Sequence, residues 1–252
     1  MKQEDREQFV NKKNKIRPLE QQRFYPRRCY DVSGDTVVVV CSGPSLNKVK
    51  LFNKNGTKKF PIVAVSTSIR KIPNPDVWCT AQKISKVLKR KTQYGTEGKK
   101  AFNNKNILKV YPASKGMRGR EAWGRGTSRN AGWGRLRHHP EDIVYVDNSD
   151  RITLSIVVAL DWIYNCTNFK TVLLCGCDLR ANNFENKYSY KYDADYDTKI
   201  VKRYKKLNAA PDHGYDRTLN EIRHRVNKYK NLNFKSWSPG GRIEEFMEIH
   251  EN

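Results

Sequence analysis

Cys41–Leu46, Cys-Ser-Gly-Pro-Ser-Leu, joins an apolar run to a turn of small residues. Its residue types suit contact with an anionic ligand. Gly43 lets a ligand or a neighbouring backbone approach closely. Pro44 suits the first turn of a helix, and amides at such a turn can face a phosphate. Ser42 and Ser45 add hydroxyls. The stretch falls short of a Gly-x-Gly-x-x-Gly fingerprint and has no P-loop lysine, which argues against nucleotide hydrolysis of the P-loop type. A plain strand-to-helix corner is the competing reading.

Two further stretches carry chemistry. Residues 115–139, "KGMRGREAWGRGTSRNAGWGRLRHH", hold seven Lys/Arg, six Gly, two Trp and one acid. Arg118, Arg120, Arg125, Arg129, Arg135 and Arg137 offer phosphate contacts and base-edge forks, and Trp123 and Trp133 offer stacking faces. A solvated loop is the bland alternative. Residues 179–213 are rich in Tyr, Asn and Asp. Asp193, Asp195 and Asp197 alternate in "DADYD", which lacks the Gly and Glu of an EF-hand. No Asp-x-Asp follows a strand, so the reading is metal-independent.

Charge narrows the partner. The 252 residues contain 49 Lys and Arg against 26 Asp and Glu, a net charge of +23, and the pI is about 9.8. Such a field repels itself, and a polyanionic partner is its natural explanation. Nucleic acid comes first, an anionic membrane surface second, a generally basic composition third. Basic runs at 12–17, 83–91, 99–109 and 202–206 extend the field. Of the six cysteines, Cys41, Cys79 and Cys175 fall in or beside apolar runs, and no pair has Cys-x-x-Cys spacing, which fits a reducing compartment. The N-terminal stretch has no apolar signal-peptide core, and the apolar runs are far short of the ~20 residues needed to span a bilayer. The expected location is cytoplasmic, the host's cytoplasm for a viral chain.

These residues need a scaffold. "TVVVVC" (36–41) is a β-branched run of the kind buried on both faces of a sheet. "IVAVST" (62–67), "DVWCTA" (76–81), "ILKVY" (107–111), "IVYV" (143–146), "TVLLCG" (171–176) and "NFKSWS" (233–238) read as further strands. "TLSIVVALDWIYN" (153–165) predicts a helix with Ile156, Val157, Leu160, Ile163 and Tyr164 on one face. "RTLNEIRHRVNKY" (217–229) predicts another, with Leu219, Ile222, Val226 and Tyr229 in a stripe. Strands alternating with helices predict an α/β fold with a doubly wound, mostly parallel sheet. Ligands in such sheets sit at the carboxyl ends of the strands, where Ser42–Ser45, Ser66 and Gly176–Asp178 fall. Residues 1–34 read as a basic arm and 35–252 as one domain, with a lid insertion at 179–213 and a basic loop at 115–139.

Three blocks carry a family resemblance. They are the strand ending in Gly43-Pro44-Ser45-Leu46, the block "RITLSIVVALDWIYNCTNFKTVLLCGCDL" (151–179), and "PDHGYDRTLNEI" followed by a helix, a strand and "SPGGRIEEF" (238–246). In order and spacing they resemble the bacterial lipooligosaccharide sialyltransferases and their motility-accessory-factor relatives, spanning most of residues 35–246. The resemblance implies a single Rossmann-like, GT-A-like nucleotide domain with a lid. It implies that Ser42, Gly43, Pro44 and Ser45 line the nucleotide of an activated sugar, with Ser66 touching the donor. Arg151 and Thr153 match the family's Arg-Ile-Thr facing the donor, where Arg151 would grip phosphate. Gly176 and Asp178 close a strand at the nucleotide edge, where Asp178 accepts from ribose hydroxyls or orders the loop. Tyr188, Tyr190 and Tyr192 lie in the lid-like segment where the family places Tyr hydroxyls on the departing phosphate, with the choice among them open; the alternation "YSYKY" equally fits a solvated hairpin. His213 matches the lid-end histidine that takes the acceptor proton, a role suited to a group that titrates near neutrality. Ser42 and Ser66 stand where relatives often have Asn, so the donor stays open between UDP- and CMP-linked sugars, with no tightly bound cofactor.

The Arg/Gly/Trp segment has no obvious counterpart in that family, and it suits DNA. Combined, charge and resemblance imply a sugar transferase acting on a hydroxymethylated pyrimidine, 5-hydroxymethylcytosine first, as in the DNA of bacteriophages. A target base would be flipped into the site. The alternatives are a transferase acting on a cell-surface glycan and a non-catalytic nucleic-acid-binding protein on the same fold.

Overall fold

The computed structural model describes residues 34–82, 87, 94–114, 143–148, 154–179 and 213–251. Eight strands form one sheet: β1 (Thr36–Val40), β2 (Ile62–Val65), β3 (Val77–Cys79), β4 (Leu108–Ser114), β5 (Ile143–Asn148), β6 (Thr171–Cys175), β7 (Asn233–Trp237) and β8 (Glu248–Ile249). Their order is β5-β4-β3-β2-β1-β6-β7-β8. Every pairing is parallel, where the sequence predicted a mostly parallel sheet. All seven anticipated strands are present within a few residues of their expected bounds. The two-residue β8 was not anticipated. Nor was the helix α1 (Gly95–Asn103), whose run of Lys, Gly and Asn hides its short apolar stripe.

The order explains the layering. From β1 to β5 the chain steps outward in one direction, then returns past β1 to β6 and steps the other way. Parallel crossovers are right-handed, so reversing the direction moves the connections to the opposite face. The helices α2 (Ser155–Cys166) and α3 (His213–Lys228) accordingly share one face, packing with Val37, Val39, Val63, Val172 and Leu174. Val38, Val40, Ile62 and Leu173 point the other way. There α1 covers Trp78 and Ala64, and the 44–60 connection covers β1, β6 and β7.

In α2 the β-branched Ile156, Val157 and Val158 weaken intrinsic helix propensity, so burial stabilises it. Every residue from Ile156 to Ile163 is buried, a fuller enclosure than the single face expected. Tyr164 lies half-exposed and stacks on Tyr229 of the segment after α3, ring centroids 3.9 Å apart. The buried stripe of α3 contains the expected Leu219 and Ile222, continues into Tyr229 just after the helix, and also includes Arg225, which is only 1% exposed. Arg225 Nε donates to Asp161 Oδ1 of α2 at 3.2 Å, its Nη1 donates to Glu221, and Tyr229 OH donates to the same Asp161 oxygen at 2.6 Å. Burial alone would lower the Arg225 pKa, but the hydrogen bond and charge of Asp161 and the charge of Glu221 raise it overall. The guanidinium therefore stays charged in the core and joins the two helices.

His213, expected at the end of a lid, is the first residue of α3. Among the described residues no helix is long and apolar enough to cross a membrane. The arm before residue 34, the basic loop at 115–139 with its arginines and tryptophans, and 180–212 of the lid segment lie outside the described residues.

Candidate functional site

The direction of the chain reverses between β1 and β6, and the carboxyl ends of the strands at such a reversal form the usual ligand crevice of an open α/β sheet. Two of the chemistry-bearing stretches meet there. β1 and β6 pair in register from Thr36↔Thr171 to Val40↔Cys175. The pairing continues past the strand ends, with Cys41 N donating to Cys175 O at 2.7 Å and Gly43 N to Gly176 O at 2.8 Å. Gly176 has φ +65°, and a Cβ there would lie 2.6 Å from the Cys41 carbonyl oxygen. Glycine is therefore required both by conformation and by space.

After Gly43 the chain makes one 3-10 turn, Pro44–Lys48, with Pro44 at its start. The Ser45 amide donates to Asp178 Oδ2 at 3.1 Å. The same oxygen sits directly over Gly43, where a Cβ would come within 1.9 Å of it. Asp178 thus orders the turn, one of the two roles anticipated for it. The Ser45 side chain is 3% exposed, and its Oγ has no hydrogen-bond partner among the described residues. Buried hydroxyls without partners are uncommon, and each calls for an explanation, a bound ligand or ion among them.

Hydroxyls continue along the edge. Thr67 Oγ1 donates to Ser42 Oγ at 3.1 Å. Ser66 adopts φ +53°, a left-handed conformation that strains a residue with a Cβ. It is held there by Trp78 Nε1, which donates to its carbonyl at 2.9 Å. The Tyr94 hydroxyl lies 3.5 Å from Ser66 Oγ and 3.0 Å from Thr80 Oγ1. Ser155, the first residue of α2, accepts from Ala81 N at 2.9 Å, anchoring the helix that follows the Arg151–Thr153 segment. Arg151, Thr153, Tyr188 and Tyr190 lie outside the described residues.

The third block closes the other side. Arg242 N donates to the Asp178 carbonyl at 2.9 Å, and its guanidinium Nη1 donates to Asp216 Oδ1 at 2.7 Å. Asp216 stands three residues after His213, in the first turn of α3. Arg242 thereby ties the beginning of the His213 helix to the Asp178 loop. Cys177 N donates to Ser238 Oγ at 2.8 Å. Sequence reasoning singled out neither Arg242, Ser238, Thr67, Thr80 nor Tyr94. The signal for Arg242, Ser238, Thr67 and Thr80 was position, each within five residues of a strand's carboxyl end; Tyr94, which caps α1, had none.

Cys175 and Cys177 lie buried beneath the crevice as free thiols. A hydrogen bond to the Cys41 side chain and burial raise the Cys177 thiol well above its ordinary range, and burial does the same to Cys175. Both stay protonated at neutral pH and pack as small apolar groups. The site offers hydroxyls, one carboxylate and backbone amides, a set suited to a polyhydroxylated ligand.

No protein-family model, curated protein or solved structure matches the chain.

Proposed function

We propose that the chain is a nucleotide-sugar-dependent glycosyltransferase that adds a sugar to the hydroxyl of 5-hydroxymethylcytosine in DNA. The observation that carries the reading is the junction of the Ser42–Ser45 turn with Asp178 at the β1/β6 reversal, where the Ser45 hydroxyl is buried with no partner among the described residues. One Asp178 oxygen orders the turn, and in this reading the other accepts from ribose hydroxyls. The shelf formed by Ser42, Ser66 and Thr67 suits a ligand with several hydroxyl groups. The order of the sequence blocks and the net charge of +23 supply the sugar-transfer and DNA halves of the reading.

In the proposed reaction the hydroxymethyl oxygen of the base attacks the anomeric carbon of the donor. The bond from that carbon to the phosphate oxygen breaks, and the nucleotide leaves with the bonding electrons. His213 takes the acceptor proton, and Arg151 with Tyr188 and Tyr190 balances the charge on the departing phosphate.

The test is to incubate the protein with hydroxymethylcytosine DNA and a panel of UDP- and CMP-linked sugars, digest the DNA and weigh the nucleosides. A hexose, pentose or sialyl mass on hydroxymethyldeoxycytidine is expected, and it should be lost in His213→Ala with DNA binding intact. No added mass with any donor, together with no nucleotide-sugar binding, overturns the reading.

A further inference from the structure

We infer that the outer surface of the 44–60 connection is the track on which the DNA backbone lies. This inference rests on DNA being the acceptor. In doubly wound sheets the first crossover is usually a helix. Here it is one 3-10 turn followed by a hairpin, in which Phe52 and Lys58 form an antiparallel bridge. Asn53 N donates to Thr57 O at 2.8 Å, and Gly56, at φ +81°, makes the tip. The inner side of this connection performs the work of a helix. Leu46 and Leu51 are buried on Val38, Val40 and Leu173, with Val49 and Phe60 packed against them.

The outer side is cationic. Between Pro44 and Pro61 the sequence contains five Lys and no acidic residue. Lys48, Lys50, Lys54 and Lys59 are exposed. Among the described residues Lys58 is in an ion pair, with Asp76 at 2.8 Å, and Lys59 lies over the Trp237 ring. The region that includes α3 is different. Residues 213–251 hold seven Lys/Arg against six Asp/Glu, and Arg223, Arg225, Lys235 and Arg242 are all in ion pairs. The 44–60 connection therefore presents unbalanced positive charge where the 213–251 region does not, as a polyanion-binding surface requires.

Position and composition favour DNA over other polyanions. Lys48 follows Ser45 by three residues, so the cationic track begins at the mouth of the crevice. Phe52, 42% exposed, stands between Lys50 and Lys54, and an aromatic face among cations suits an unstacked base. A backbone held along this hairpin would bring a flipped base to the rim of the crevice, beside a donor seated on Ser42 and Ser45, without crossing the sheet.

The experiment measures DNA affinity against salt for the wild-type chain and two charge-matched variants. One is Lys48→Gln/Lys50→Gln/Lys54→Gln on the hairpin. The other is Arg217→Gln/Lys228→Gln/Lys230→Gln in the α3 region. All six side chains are exposed, and unchanged thermal unfolding verifies both folds. Each neutralised phosphate contributes about 0.9 to the slope of log affinity on log salt. The hairpin variant is expected to lose about 2–3 of that slope, and the α3-region variant less than 1. Phe52→Ala should weaken single-stranded binding about five-fold with the slope unchanged. Equal losses in the two triple variants, or an unchanged slope in the hairpin variant, overturn the track and leave the DNA acceptor standing. No DNA binding by the wild type, with capture on phosphatidylserine vesicles instead, overturns both.

Discussion

The Asp178 carboxylate accepts the Ser45 amide at 3.1 Å across 133 residues of sequence, and it does so from a seat directly above Gly43. That seat exists only because Gly43 has no side chain. A Cβ would lie 1.9 Å from Asp178 Oδ2 and 2.6 Å from the Gly176 carbonyl oxygen, and the second of these is backbone in a paired ladder. Gly43→Ala is expected to destabilise the fold by about 2–3 kcal/mol and to abolish nucleotide binding, read by urea unfolding and by titration calorimetry. A wild-type urea midpoint would contradict the seating of Asp178 on Gly43.

Ser45→Ala separates function from stability. It removes a buried hydroxyl that has no partner among the described residues, so unfolding should be unchanged or slightly harder. Donor affinity should fall about ten-fold, the worth of about 1.4 kcal/mol. Unchanged donor affinity would leave the orphan hydroxyl without a role.

Ser66 holds φ +53°. Ser66→Gly should relieve strain and leave stability equal or up to about 1 kcal/mol higher, while Ser66→Val should lower it by about 1–2 kcal/mol. Thermal unfolding of the pair checks this. A stabilised Val variant would contradict the conformation.

Arg225→Met leaves Asp161 buried with its cation removed. A loss of about 3–5 kcal/mol is expected. The double variant Arg225→Met/Asp161→Asn should recover part of it. If the double variant is no more stable than the single, the two side chains do not act as a pair.

His250 makes an edge contact with Trp237, ring centroids 5.1 Å apart, and its backbone N donates to Ser236 O. Burial, then Lys235 and Lys59, lower its pKa below 6.5. The unfolded chain therefore binds the proton more tightly than the folded one. The stability this residue contributes is complete above about pH 6.5 and is lost as pH falls from there toward the folded value. NMR titration of the imidazole should place its pKa below 6.5. A value above 6.5 would remove the effect.

Much of the fold was legible because buried parallel strands are written as continuous β-branched runs. Val37–Val40, Ile62–Val65 and Val172–Leu174 have no other use. Helix α1 was missed because Gly95, Gly98 and Asn103 are poor helix formers, and it is stabilised by packing of Ala101 and Phe102 on Trp78 rather than by propensity. Of the site, the turn and the Gly-x-Asp end were legible as small residues placed after strands. Arg242 was not, because its role depends on Asp216 and the Asp178 carbonyl, which no local pattern connects. The strain at Ser66 was equally hidden, since it comes from Trp78 and Tyr94 in other elements.

The seam between β1 and β6 also sets the order in which the protein comes into being. β1 pairs with β2 after a connection of some twenty residues, but its other edge waits for a strand that begins at Thr171. Contacts of such long range slow folding. Until the chain has been made through Asp178, Ser45 has no carboxylate to meet and β1 is an exposed edge. The crevice is therefore among the last features to appear, and a chain truncated before β6 would present an open, aggregation-prone strand in its place.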